Sequence, residues 1–189
     1  AGQLEVLDEA HAAIGVEALL ARAHVAGRLA SVTCTESRPM NEGVALAGRL
    51  AAQGIPTTLG ADAVAPGLID AHTVVVVGAD SVSPLGVANK AGTYALALAA
   101  REVGAPVLVL AGSDKRLPGS LAERESLVGE ARAAEELIAT PPPGVVVLNR
   151  AFDLTPLDAV TWIISERDVL PGADASAACD AIDVHSLLR

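Results

Sequence analysis

Thr73-Val74-Val75-Val76-Val77-Gly78-Ala79-Asp80 is the stretch that decides the fold. Four consecutive valines do not alternate with polar residues. A strand made of them is buried on both faces, as a central strand of a parallel sheet is. Gly78-Ala79-Asp80 then carries a carboxylate to the strand's C-terminal edge. Nine residues after Asp80 begins Asn89-Lys90-Ala91-Gly92-Thr93-Tyr94, which holds one of the chain's two lysines. In an open α/β sheet, ligands bind at that edge. A helix start with a nearby Lys is a natural seat for phosphate. The pattern predicts a helix beginning at Lys90 with Asn89 at its N-cap. It also predicts an anionic small-molecule site with Asp80 beside it.

Working outward, other apolar, β-branched runs lie at residues 4–7, 29–34, 56–59, 107–110 and 145–148, with a last one at 162–165. Ala/Leu-rich stretches of helical character separate them. This alternation indicates βαβ units, so the expected fold is α/β: a Rossmann-like, mainly parallel sheet flanked by helices. Gly27, Gly54 and Gly104 each fall between a helical stretch and a strand, suiting left-handed helix ends. Pro141-Pro142-Pro143-Gly144 reads as a stiff linker before the strand at 145–148. Residues 117–139 read as an exposed helix or helix pair whose mixed charges form a solvated face. Residues 173–188 suit a last helix. Asp153 and Thr155-Pro156 suggest an Asx-type turn and a helix start.

The length fits a single domain over residues 1–189. The chain is 51% hydrophobic with one each of Trp, Tyr, Phe and Met, so its core is aliphatic. A net charge of −10 and the lack of aromatic stacking platforms argue against nucleic acid as a partner. Cys34 and Cys179 are far apart, no CxxC occurs and the four His are scattered, so no metal site is expected. No Gly-x-Gly-x-x-Gly follows a strand, which sets aside nicotinamide binding, and no cofactor is expected. No 18-residue apolar stretch or signal-peptide pattern is present, so the expectation is a cytoplasmic protein without a membrane partner. Ala1-Gly2-Gln3 leads abruptly into an apolar run, which points to an upstream segment that is short, absent or removed.

Four polar clusters follow the strands: Thr35-Glu36-Ser37-Arg38-Pro39, with Gly43 beyond it; Gly78-Ala79-Asp80 through Thr93; Ser113-Asp114-Lys115; and Asn149 to Pro156, closed by Ser165-Glu166. As an ordered set, Thr-Glu-Ser-Arg-Pro, Gly-Ile-Pro-Thr-Thr, Val-Gly-Ala-Asp, Asn-Lys-Ala-Gly-Thr-Tyr and Asn-x-x-Phe-Asp-x-Thr-Pro resemble one superfamily. It joins the α, β and δ subunits of translation initiation factor 2B with methylthioribose-1-phosphate isomerase and ribose-1,5-bisphosphate isomerase. The resemblance runs from about residue 29 to residue 171. It implies the family's Rossmann-like C-terminal domain, without room for the helical N-terminal domain that members usually carry, and association into a homo-oligomer.

By the same resemblance, Asp80 stands at the catalytic Asp. Asn89 and Lys90 stand where the isomerases hold the sugar phosphate, and Arg38 at an Arg near that pocket. The family's Cys, expected on the strand before, is replaced: the chain there reads Leu7-Asp8-Glu9-Ala10-His11-Ala12. Glu42 replaces a Gln, and an acid there weakens phosphate binding. Isomerising an aldose 1-phosphate needs one group to protonate the ring oxygen and another to move a proton between carbons 1 and 2. His11 is the candidate to stand in for the thiol, and Cys34 a weaker one. The leading expectation is a module that binds a phosphorylated sugar or nucleotide without turnover. The alternatives are an aldose–ketose isomerase working through Asp80 and an interaction subunit with a vestigial pocket.

Overall fold

The computed structural model of the chain describes residues 4–9, 13–129 and 131–183. Its ten strands are β1 (Leu4–Glu9), β2 (Leu29–Thr35), β3 (Thr57–Gly60), β4 (Thr73–Val77), β5 (Ser81–Ser83), β6 (Gly86–Lys90), β7 (Val107–Leu110), β8 (Phe152–Thr155), β9 (Trp162–Ile164) and β10 (Val169–Pro171). Seven form one sheet in the order β10-β9-β7-β4-β1-β2-β3, in which only the β10–β9 pair is antiparallel. The helices are α1 (Ala13–Val25), α2 (Glu42–Ala52), α3 (Thr93–Val103), α4 (Arg124–Val128) and α5 (Ala175–Asp180). From β1 the chain winds outward through β2 to β3, then restarts at β4 on the other side of β1 and winds out through β7 to β9. The winding reverses between β1 and β4, where a doubly wound sheet opens its ligand crevice.

The four valines show why β4 is central. Val74 and Val76 enter one core with Val16 and Leu20 of α1 and Leu46 and Leu50 of α2. Val75 and Val77 enter the opposite core with Leu96, Ala97 and Ala100 of α3 and with Val107 and Val109 of β7. Successive strand side chains point to opposite faces, so a run covered on both sides is apolar throughout. Each fully buried Val contributes about 1.5–3 kcal/mol of transfer free energy. Gly27, Gly54 and Gly104 have φ of 65°, 78° and 73°, as the helix-end reading requires. Among the described residues no helix is long and apolar enough to cross a membrane.

Several elements differ from the sequence expectations. Residues 145–148 form no strand: Val146 is 92% exposed, and the run pairs with no strand among the described residues. The stretch 117–139 is not one helix or two. Pro118 and Gly129 interrupt it, leaving short turns and the five-residue α4. The last helix spans only Ala175–Asp180, with residues 184–188 outside the described set. Cys179 of this helix is buried in the α3-side core with its thiol donating to the Val82 carbonyl at 3.4 Å, and burial raises its pKa.

Candidate functional site

A second sheet, order β5-β6-β8, follows directly from the C-terminal end of β4. Its antiparallel hairpin places Asn89 and Lys90 on a buried strand, not at a helix start. This corrects the expected N-cap: α3 begins at Thr93, after Gly92 in a left-handed conformation. The Asp80 amide donates to the Ala88 carbonyl at 2.9 Å, which ties the half-buried acid to β6 as the hairpin begins. Asn89 and Lys90 are neighbours on a strand and so point to opposite faces. The Asn89 amide nitrogen donates to Thr93 Oγ1 at 2.9 Å on the α3 side. Its Oδ1 is buried without a hydrogen-bond partner among the described residues.

Lys90 points the other way. Its side chain is 1% exposed, and Nζ lies 2.9 Å from Glu42 Oε1. The ammonium also sits 5.8 Å from the centroid of the Phe152 ring, on the β8 residue paired with Lys90. Glu42 opens α2, where a carboxylate is favoured by the helix dipole. That start is pressed onto the end of β2: a Cβ on Gly43 would lie 1.7 Å from the Thr35 carbonyl oxygen. Glycine at 43 is what lets Glu42 reach Lys90. The ammonium expected to hold a phosphate therefore carries a protein carboxylate.

The start of α3, the other candidate seat for an anion, is filled as well. Asp153 Oδ2 on β8 accepts from the Gly92 amide at 2.8 Å and the Tyr94 amide at 3.1 Å. Asp153 is thus structural, but it caps α3 across the sheet instead of turning its own segment. Burial raises its pKa, and the two backbone hydrogen bonds act against that.

Arg38 makes no ion pair with Glu36 or Glu42. Its Nη2 donates to the Leu137 carbonyl at 3.1 Å, while its amide and that of Ser37 donate to the Asp62 carboxylate, both at 2.7 Å. Leu137 belongs to a segment that the sequence assigned to a solvated face. Within it, Arg132 Nε donates to Glu136 Oε2 at 2.7 Å and Nη2 to Oε1 at 3.0 Å. The pair raises the Arg132 pKa and lowers that of Glu136, and Glu42 and Lys90 add to these shifts in the same directions. The Arg132 amide donates to the Asn149 carbonyl at 2.7 Å, and the buried Asn149 side chain donates to the Ala133 carbonyl at 2.8 Å. Alternating charge four residues apart was the only sequence signal, and it is shared by ordinary surface helices.

The remaining candidates do not join this group. His11 lies outside the described residues. Cys34 is wholly buried in the aliphatic core under α1 and α2. Lys115 is exposed. Glu166 accepts from the Ser113 amide at 2.9 Å and from its hydroxyl, the hydroxyl bond being the larger cause holding its pKa at about 2. A cavity of about 320 Å³ lies there, beyond the ends of β7 and β9.

The family model described as the Initiation factor 2 subunit family matches residues 4–172. A probable bifunctional methylthioribose-1-phosphate isomerase/methylthioribulose-1-phosphate dehydratase of Nocardia farcinica is 43% identical over 162 residues, 79% of this chain and 29% of that protein. The crystal structure of 5-methylthioribose 1-phosphate isomerase from Pyrococcus horikoshii superposes with a TM-score of 0.75 at 30% identity, over 90% of this chain and 51% of that one. A translation initiation factor eIF-2B structure from the same organism gives 0.75 at 29%, over 90% and 58%. The chain thus spans about half the length of these solved relatives, and less of the Nocardia protein.

Proposed function

The chain belongs to the initiation factor 2 subunit family, and on that premise we propose that it serves aldose–ketose isomerisation of a ribose 1-phosphate derivative, with Asp80 as an acid/base group. The observation that carries this is the buried Lys90 ammonium on β6, with Asp80 anchored to the same strand where the sheet opens its crevice. A cation held out of water attracts a phosphate far more strongly than an exposed one does. Ring opening needs a proton on the ring oxygen, and isomerisation then removes a proton from carbon 2 and delivers one to carbon 1. Asp80 supplies one proton-transfer group, and the names of the matched relatives favour this reading over simple binding.

Binding without turnover is the second reading, favoured by the sequence: no Cys stands in Leu7-Asp8-Glu9-Ala10-His11-Ala12, where the family resemblance expects the partner of Asp80. The test is to incubate the full-length protein with methylthioribose 1-phosphate and follow the ketone carbon by NMR. Ketose formation that disappears in Asp80→Asn supports the isomerase. No ketose, together with a phosphate-induced rise in melting temperature, replaces it with the binder.

A further inference from the structure

Residues 132–137 bridge the two halves of the Lys90–Glu42 pair. One end is tied to Asn149 by the Arg132 amide and by Ala133, and Asn149 leads into β8, the strand beside Lys90. The other end is tied by the Leu137 carbonyl to Arg38, four residues before Glu42. Between these ties sits the Arg132 guanidinium, its side chain 37% exposed, with Glu136 engaging Nε and Nη2. A guanidinium has five N–H donors in a fixed fork, so donors remain for a second oxyanion. The segment thus brings an exposed, forked cation near enough to the buried pair for Arg132 to feel the Glu42 charge and Glu136 the Lys90 charge, and each cation already holds one carboxylate.

We propose that Arg132 is a ligand-contacting residue: it turns from Glu136 to the phosphate of an incoming ester, while the same phosphate replaces Glu42 as the counter-ion of Lys90. This rests on the reading of Lys90 as part of the ligand site. The bound phosphate is then shared between the ammonium below and the guanidinium above, and the displaced carboxylates turn to water. Lys90 is too buried to select among anions by itself. Arg132, at the solvent side and preorganised for two parallel hydrogen bonds, selects tetrahedral oxyanions over halides.

The experiment is titration calorimetry of the full-length protein with inorganic phosphate, using chloride as the competing anion. Arg132→Ala weakens phosphate binding by roughly ten- to a hundredfold, the range of one lost charge-assisted contact. Arg132→Lys recovers part of the affinity but loses the preference for phosphate over chloride. Glu136→Gln separates the alternatives. If Arg132 contacts the ligand, releasing it from Glu136 leaves phosphate affinity unchanged or raised. If the pair only braces the segment, Glu136→Gln and Arg132→Ala weaken binding alike, and the proposal is overturned. Lys90→Met tests the underlying site. Loss of binding there with no effect of Arg132→Ala overturns the role of Arg132 alone. Binding unaffected by Lys90→Met, or absent in the wild type, overturns both.

Discussion

Two helix starts in this molecule each take a carboxylate, and they use it in opposite ways. At α3 the acid is Asp153, brought across from β8 and fixed by the backbone amides of Gly92 and Tyr94. At α2 the acid is Glu42, part of the first turn itself, and it leaves the backbone to hold Lys90. Neither N-cap residue, Gly92 or Asn41, makes a side-chain cap of its own. A carboxylate spent on backbone amides is part of the scaffold, because the amides have no alternative donor role. A carboxylate spent on an ammonium is exchangeable, because any other anion serves the ammonium as well. The α3 start is therefore architecture, while the α2 start carries the exchangeable carboxylate that the proposed ligand site requires, although both are helix N-termini near one lysine.

The contrast is broken most sharply at Gly43. Gly43→Ala puts a methyl against the Thr35 carbonyl, 1.7 Å away before any shift, so α2 must lift from β2. We expect a loss of about 3 kcal/mol in urea unfolding. An unchanged midpoint would mean that the α2 start is not seated by that contact.

Glu42→Gln keeps an acceptor beside Lys90 but removes its counter-charge. The expected loss is about 2 kcal/mol, and added phosphate restores it by supplying the missing anion. Asp153→Ala costs about 1–2 kcal/mol through the lost cap, and phosphate restores none of it. Equal phosphate responses from these two variants would erase the distinction between the two helix starts.

The smallest effect concerns a third carboxylate. Arg116 Nη1 donates to Asp168 at 3.0 Å; the Arg116 hydrogen bonds first, and Ser165 next, hold the Asp168 pKa at about 2 against an ordinary 3.8. A lowered folded pKa means stability present above the unfolded value and lost as pH falls through the folded one. The melting temperature should therefore drop between about pH 4 and pH 2, and Asp168→Asn should flatten that slope. An identical slope in the variant would show that the pair contributes nothing, as for many exposed ion pairs.

The central sheet was legible because burial on both faces leaves an unbroken apolar signature, as in residues 73–77 and 107–110. The same signature misled at 145–148, where a valine run lies largely exposed and pairs with no strand among the described residues. The three-stranded sheet was not legible. Ser81-Val82-Ser83 is short and polar, and the pairing of β6 with β8 joins Lys90 to Phe152 across a long stretch of chain. Asn89 therefore passed for a helix cap, with Gly92-Thr93 close behind it. Asp80, Glu42 and Lys90 were named from sequence, but the contact between the last two was not. Arg132 and Glu136 were missed because only the folded chain sets their segment between Asn149 and Arg38.

Both margins of the large sheet carry proline: Pro171 lies within β10, and Pro56 immediately precedes β3. Proline lacks the amide hydrogen that a docking strand would need, so neither margin offers a full ladder to another chain. Copies of this molecule are thereby discouraged from joining end to end into a continuous β ribbon.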